Sequence, residues 1–260
     1  MSGERLGASA TSPEPHEGQP HEEQPGPLDP HRRTEVVRQA LSVGIATGAY
    51  GVSFGALSVA AGLSVLQTQA LSALLFSGGS QFAVVGIIAA GGTGAAAVAT
   101  SSLLGVRNGL YGLENAKHLR VRGLRRVAAG QLTIDESTAV GLAQPEPAGQ
   151  RLGFWATGLS VFVFWNLMTL VGALVGAKLG DPKQWGLDAA AAGAFCALVA
   201  PRMGTAPART TAVIAVFLAL VTAPHVPAGV PVLIATLAAV LVGLLQARHA
   251  APADATGEAA

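Results

Sequence analysis

Charged residues are scarce in this chain, and those that occur are unevenly distributed. Only 12% of its 260 residues are Asp, Glu, Lys or Arg, whereas soluble domains average about 25%. Three long stretches contain none at all: 39–106, 152–177 and 210–247. A bilayer core requires about 20 apolar residues per helix, so these stretches provide room for several spans. We therefore predict an all-α, polytopic helical membrane protein.

Cysteine and the common enzyme signatures are also nearly absent. Cys196 is the only cysteine, which excludes an intrachain disulfide and a cysteine-based metal cluster. The six histidines all lie outside the apolar runs, and the sequence contains no nucleophile elbow, phosphate loop or zinc-binding helix motif. We expect no enzymatic activity and no metal or other cofactor. Because the basic residues gather at segment ends without interleaved aromatics, we also expect no binding of nucleic acid.

Composition divides the chain into three parts. Residues 1–33 are rich in Pro, Glu, Gly and Gln, and such a segment buries too little apolar surface to offset its ordering entropy. We predict a disordered N-terminal tail at 1–33, a membrane domain at 34–248, and a small, polar, disordered C-terminal tail at 249–260.

The apolar pattern of the membrane domain predicts a series of helices with two irregular elements. Gly44 and Gly48 are four residues apart, as are Gly51 and Gly55, and this spacing typically forms a close-packing helix face. Two apolar segments, 66–91 and 131–143, are broken or short. The helices are expected at about 34–61, 95–113, 152–178, 187–200, 209–223 and 230–246.

The distribution of Lys and Arg suggests a topology, because these residues accumulate on the cytoplasmic side of a membrane. The basic residues cluster before the first helix, between Lys117 and Arg126, and near Arg151, Arg202 and Arg248. If all these sites are cytoplasmic, both termini are cytoplasmic, and segment 66–91 must enter and leave the membrane on the same side. We predict about five full spans plus two re-entrant elements of opposite sense, an arrangement that suggests an inverted repeat. A rival topology treats 66–91 as a full span and violates the charge rule at one loop.

The first candidate binding element is the polar interruption of segment 66–91. Phe76 leads into a cluster of small polar residues that separates two apolar runs, namely Ser77, Gly78, Gly79, Ser80 and Gln81. Helix ends exposed there would present free backbone N–H groups and a positive dipole end to a carboxylate. Alternatively, the glycines simply allow two helices to approach closely.

Three further polar groups stand out against the apolar background. Arg107-Asn108 lies in the last third of a predicted helix, where the arginine either forms a site or extends to the cytoplasmic interface. Asp135-Glu136 either binds an ammonium group, takes up a proton or pairs with Arg107, or else follows a helix cap at Thr133. We expect Asn166 of Trp165-Asn166 to bond a neighbouring helix.

In these motifs the chain resembles the AzlC family of branched-chain amino acid permeases. The matching segments occur in the same order as in the family and extend over about 36–245. They are Gly51-Val-Ser-Phe-Gly55, Gly62-Leu-Ser64, Phe76-Ser-Gly-Gly-Ser-Gln-Phe82, Arg107-Asn-Gly-Leu-Tyr-Gly112 and Thr133-Ile-Asp-Glu136. Two motifs differ from the family pattern. Asn108 stands where the family commonly has His, and Ile134-Asp-Glu-Ser137-Thr138 stands where it commonly has Thr-Asp-Glu-x-Phe.

The resemblance implies a secondary transporter of the cell membrane that exports Leu, Ile and Val from the cytoplasm. It also implies a small hydrophobic partner of the AzlD type and a proton gradient as the driving force. The expected binding residues are Phe76, Ser77, Gly78, Gly79, Ser80, Gln81, Arg107, Asn108, Asp135 and Glu136. The alternatives are a passive channel for a small solute and a non-catalytic membrane scaffold.

Overall fold

The computed structural model describes residues 28–178, 193, 196, 199–227 and 229–249, and within these ranges the chain is helical, with no strand. The all-α prediction is therefore confirmed for the described part of the chain. The helices are α1 Pro30–Ala60, α2 Val65–Leu74, α3 Gly78–Ala89, α4 Gly94–Leu119, α5 Leu124–Gln131, α6 Asp135–Leu142, α7 Pro147–Lys178, α8 Ala206–Thr222 and α9 Val230–His249, with a short 3-10 helix at Ala200–Gly204.

The long helices α1 and α7 form the central pair of the fold. Gly44 lies against Ser160, Gly48 against Phe164, and Gly55 against Thr169. Residue numbers rise together along the two helices, so they run parallel and their N-termini lie at the same end of the molecule. The predicted close-packing face of α1 is thus confirmed, and its partner is α7.

Glycine is required at this interface because the two backbones are in direct contact. A β-carbon on Gly55 would overlap the carbonyl oxygen of Thr169, and one on Gly172 would overlap that of Val52. The hydroxyl of Ser160 adds a bond across the interface by donating to the carbonyl oxygen of Ala40 at 2.7 Å. Close backbone approach of this kind is how helices associate in lipid, where the hydrophobic effect between them is absent.

Several helix ends differ from the sequence-based boundaries for local reasons. α1 begins at Pro30, earlier than 34, because the Asp29 side chain accepts bonds from the first-turn N–H groups of His31 and Arg32. α4 continues to Leu119 instead of 113, and the Glu114–Lys117 ion pair lies on its last turns. α7 begins five residues earlier than predicted, with Pro147 as its first residue, a position that suits proline.

Two predicted elements overlap the described residues only in part. The tail proposed at 1–33 is described from 28 onward, where α1 begins at Pro30. The helix expected at 187–200 lies mostly outside the described residues.

Among the described helices, two are both long and apolar enough to cross a bilayer. They are α1 and α7, whose most apolar stretches of 18 residues have mean hydropathies of 1.4 and 1.9. The helices α3 and α8 and residues 230–244 of α9 are apolar over shorter lengths. The face of α7 directed away from α1 exposes large aliphatic side chains, including Leu159, Val163, Leu167 and Leu174. The count of about five full spans with two re-entrant elements stays a prediction.

The backbone contact between α1 and α7 predicts the effect of adding single methyl groups. Gly55→Ala and Gly172→Ala should each lower the thermal stability of the detergent-solubilised protein, because overpacking costs about 1–3 kcal/mol or more where backbone cannot yield. Gly105→Ala is the matched control, since a β-carbon there meets nothing within 4 Å and alanine favours helix. Circular dichroism at 222 nm measures the melting temperatures, and those of Gly55→Ala and Gly172→Ala should lie below that of Gly105→Ala. Equal melting temperatures for all three variants would contradict the proposed packing.

Candidate functional site

The interrupted segment consists of two short helices joined by an irregular link. α2 ends at Leu74, and α3 begins at Gly78 after Ser77, whose backbone is extended with φ −157°. The predicted interruption is confirmed, but it lies at 75–77 instead of 77–81. Gly78 to Gln81 form the first turn of α3, because Gln81 N–H already donates to the Ser77 carbonyl at 2.9 Å.

Gln81 and Ser80 stabilise this link and do not line the cavity that Gly78 and Gly79 border. Gln81 is fully buried, and its amide donates to the carbonyl oxygens of Ser72, at 3.1 Å, and Leu71, at 3.4 Å. These bonds bring the first turn of α3 back beside the end of α2. The Ser80 hydroxyl donates to the carbonyl of Ser101 on α4 at 3.0 Å. Any direct part of these two residues in binding stays a prediction.

The start of α3 presents backbone donors without a side-chain cap. Ser77 is the N-cap residue but makes no capping bond, and the first N–H groups of a helix have no partner within the helix. A β-carbon on Gly78 would lie 3.6 Å from the ring of Trp165, and one on Gly79 would lie 3.4 Å from Arg107 Nη2. The two glycines therefore place the helix start between an aromatic ring and a guanidinium group.

Arg107 on α4 forms an ion pair with Asp135 on α6. Their Nη1 and Oδ2 atoms lie 2.9 Å apart, with side-chain exposures of 35% and 21%. Pairing with Arg107 was one of the alternatives that the sequence left open for the acidic motif, and the structure shows it. The partial exposure means that water or a small ligand can reach both charges.

The acidic motif begins α6, although Thr133 does not cap it. The N-cap residue is Ile134, and Asp135 and Glu136 occupy the first turn. Thr133 instead donates its hydroxyl to the carbonyl of Ala129 at 2.7 Å. The Ser137 hydroxyl accepts the N–H of Ile134 at 3.1 Å and donates to the carbonyl of Leu132 at 2.6 Å. This local network fixes the direction in which α6 starts.

A cavity of about 200 Å³ lies where these elements meet. The starts of α3 and α6 both border it, together with the Arg107–Asp135 pair and apolar side chains of α1, α4 and α7. Eight of the ten predicted binding residues line it: Phe76, Ser77, Gly78, Gly79, Arg107, Asn108, Asp135 and Glu136. The cavity is also lined by eight residues that were not predicted to bind: Thr47, Tyr50, Phe82, Leu104, Ile134, Val161, Trp165 and Val199.

Trp165 is the lining residue that the sequence-based set most clearly missed. It stacks on Phe54 with ring centroids 5.9 Å apart and meets Phe82 edge-on at 6.3 Å. Its position in the Trp165-Asn166 pair marked it as unusual, but only the fold places the ring beside Gly78. The expectation for Asn166 is confirmed, since Gln69 of α2 donates to its side-chain oxygen at 3.2 Å.

Several polar atoms on the lining residues have no hydrogen-bond partner. They are the Ser77 hydroxyl, Arg107 Nε, the Asn108 side-chain oxygen and the Trp165 indole N–H. Ser77 and Trp165 are only 7% and 5% exposed. Buried polar groups are nearly always paired, so these four atoms are available to water or to a polar ligand in the cavity. Within the described ranges, no three His, Cys, Asp or Glu side chains gather as metal ligands would.

Comparison with known protein families identifies the chain. The family described as AzlC protein matches residues 42–179, which is more than half of the sequence. The chain belongs to the AzlC family. No curated protein and no solved structure matches it significantly.

Membership in the AzlC family has direct consequences for the site. The family is one of transporters rather than enzymes and is associated with branched-chain amino acid transport. Together with the apolar helices, it identifies this chain as a membrane protein. The matched residues include both helix starts and the ion pair that border the cavity.

The bonds of Gln81 predict that its amide holds the link between α2 and α3. Gln81→Met keeps the shape but removes the donor. The Leu71 carbonyl keeps the backbone N–H of Leu75, whereas the buried Ser72 carbonyl loses the Gln81 amide, and a loss of this kind costs about 1–3 kcal/mol. We expect a clear fall in melting temperature. Gln67→Met serves as the control, because the Gln67 side chain bonds only at the exposed start of α2. Equal melting temperatures for the two variants would show that the link is held by other contacts.

Proposed function

We propose that this protein is a secondary transporter that exports branched-chain or similar small apolar amino acids across the cell membrane. The observation that carries the proposal is a single cavity with donors, a cation and carboxylates at one side and aromatic and aliphatic walls around the rest. Family membership supports amino acid transport, and the cavity's chemistry supports a zwitterion with an apolar side chain.

The substrate carboxylate would bind at the start of α3. Uncapped backbone N–H groups and the positive end of a helix dipole favour an anion. Arg107 adds a full positive charge beside Gly79, with Nη2 3.4 Å from the position of a β-carbon. The unpartnered hydroxyl of Ser77 supplies a further donor at the same helix end.

The substrate ammonium would bind at the start of α6. Asp135 and Glu136 both border the cavity, and carboxylates are the side chains that best compensate an ammonium group away from bulk water. The same carboxylates are the titratable groups that could couple export to a proton gradient.

The substrate side chain would then contact the apolar wall. Phe82, Leu104, Val161 and Trp165 line the cavity, and burying an aliphatic side chain of leucine size contributes about 1.5–3 kcal/mol. Pockets for drug-sized ligands span about 300–1,000 Å³. A cavity of about 200 Å³ suits a smaller molecule, such as a single amino acid.

The parallel arrangement of α1 and α7 supports the topology predicted from the distribution of Lys and Arg. If both helices span, α1 ends on the side opposite to the one where α7 begins, so residues 61–146 must cross the membrane an odd number of times. One crossing by the 26-residue α4 satisfies this, with α2–α3 and α5–α6 returning to their own sides. The common end of α1 and α7 carries Arg33, Arg38 and Arg151, which favours the cytoplasm for that end and for the N-terminus. The C-terminus is proposed to be cytoplasmic too, because of Arg248.

A small hydrophobic subunit of the AzlD type is part of the proposal. Expression of the chain together with such a partner should therefore be the setting for transport assays. We expect cells that express both to release Leu or Val and to resist toxic leucine analogues. Unchanged intracellular pools with both subunits present would contradict export, and flux that is insensitive to proton uncouplers would favour a passive channel.

Asp135 provides the sharpest test of the binding mode. Asp135→Asn should abolish export without removing the protein from the membrane, because it removes the negative charge that pairs with Arg107 and that would bind the substrate ammonium. Glu114→Gln is the matched control, since Glu114 lies on the last turns of α4 and does not line the cavity. Full export by Asp135→Asn, measured as leucine efflux per amount of membrane protein, would remove Asp135 from the site.

The charge arrangement also predicts which ligands bind. L-Leucine should protect the purified protein against heat, whereas leucinamide, which lacks the carboxylate, and 4-methylpentanoate, which lacks the ammonium, should protect far less. Each omission leaves one charged group of the protein uncompensated. Equal protection by all three compounds would indicate recognition of the side chain alone.

A further inference from the structure

A second cavity adjoins the first across the acidic motif. Its volume is about 440 Å³, and it is lined by Tyr111, Asp135, Glu136, Thr138 and Ala139. The two cavities share only Asp135 and Glu136 among their lining residues. The start of α6 therefore borders both cavities, and the second is the more open of the two.

The second cavity lies on the side of the molecule where α1 and α7 begin. Tyr111 follows Arg107 by one turn of α4, and α4 continues to Leu119. Close to that end, Nε of Arg151 on α7 donates to the carbonyl of His118 at 3.2 Å. Asn115 also donates to the Thr138 hydroxyl at 2.9 Å, so α4 and α6 remain in contact from the ion pair toward this basic end.

The Arg107–Asp135 ion pair bridges α4 and α6 at the point where the two cavities meet. Both residues border the first cavity, and Asp135 also borders the second. Since each side chain is partly exposed, the pair is open to exchange with charged groups of a ligand. Breaking it without replacement is costly because it leaves each charge poorly compensated.

A zwitterion can replace this ion pair without leaving an uncompensated charge. Its carboxylate can take the place of Asp135 beside Arg107, while its ammonium takes the place of the guanidinium beside Asp135. An amine or a carboxylic acid alone restores only one of the two partners. The exchange therefore favours molecules that carry both charges close together, as α-amino acids do.

We infer that the second cavity is the access site for the zwitterionic substrate on the basic side of the protein, and that the Arg107–Asp135 pair is the partition that the substrate opens to reach the first cavity. The inference rests on the proposed function for the nature of the substrate. The partition itself depends only on the two cavities and the ion pair.

Thiol accessibility in the full-length chain tests the partition directly. Cys196 is the sole cysteine and is replaced first, by Cys196→Ser. Single cysteines are then introduced by Ala139→Cys in the second cavity or Thr47→Cys in the first. Inside-out membrane vesicles are treated with a membrane-impermeant, positively charged methanethiosulfonate, and the rate of modification is measured.

We expect rapid modification of the Ala139→Cys protein and slow modification of the Thr47→Cys protein. Adding Asp135→Asn should speed the reaction at position 47 by about tenfold or more, since the partition equilibrium shifts toward open. Arg107→Gln breaks the pair from its other side and should have the same effect. Glu114→Gln, which leaves the ion pair intact and borders neither cavity, is the matched control and should leave the rate at position 47 unchanged.

Two results would overturn the inference. One is that the thiol at position 47 is modified equally fast with and without the ion pair. The denatured forms of these variants must be fully modified, which shows that the thiol itself is reactive. The other is modification at position 139 from right-side-out vesicles only, which would place the second cavity on the opposite face. This measurement needs no transport, so a chain that keeps the thiol pattern but exports no amino acid refutes the proposed function alone. Conversely, leucine export with equal thiol reactivity refutes the partition alone.

Discussion

The direct backbone contact between α1 and α7 is the constraint on which the rest of the structure depends. With glycine at four positions of α1 and two of α7, the two helices approach so closely that carbonyl oxygens occupy the space where β-carbons would lie. This contact brings Trp165 of α7 against Phe54 of α1. The aromatic pair then forms a fixed wall against which α3 begins. A wider helix pair would move that wall away from the polar side of the cavity.

The cavity itself depends on helices that end inside the protein. An unbroken helix at 65–89 would pair its backbone groups internally and present only side chains. The break at 75–77 leaves the first turn of α3 uncapped, and Gln81 supplies donors to the carbonyls at the end of α2. The carbonyl end of α2 is thus stabilised while the amide end of α3 stays available. In the proposed binding mode this asymmetry favours the substrate carboxylate at the start of α3, and the acidic start of α6 supplies the negative charge for the ammonium.

In the mechanism we propose, the Arg107–Asp135 pair connects substrate binding to the opening of the partition between the two cavities. A pair that joins two helices is a structural bond, but one that is partly exposed and lies between two cavities can also be exchanged for ligand charges. In a transporter such an element lets binding and opening share the same interactions, because the ligand supplies what the protein gives up. Asn108 follows Arg107 where the family commonly has histidine, and its side-chain oxygen lacks a partner, so this position differs in chemistry without losing polarity.

The sequence alone determined the features that follow from local composition and spacing. Uncharged stretches imply helices in lipid, glycines four residues apart imply a close helix contact, and small polar residues between apolar runs imply a break, because each of these effects acts within one or two turns. Tertiary structure decided what the glycines contact, that Arg107 meets Asp135, and that Trp165 completes the cavity while Ser80 and Gln81 turn away from it. The contacts of the glycines, of Arg107 with Asp135 and of Trp165 with Gly78 join residues 28 to more than 100 positions apart. Their geometry depends on how whole helices pack, which no local pattern encodes.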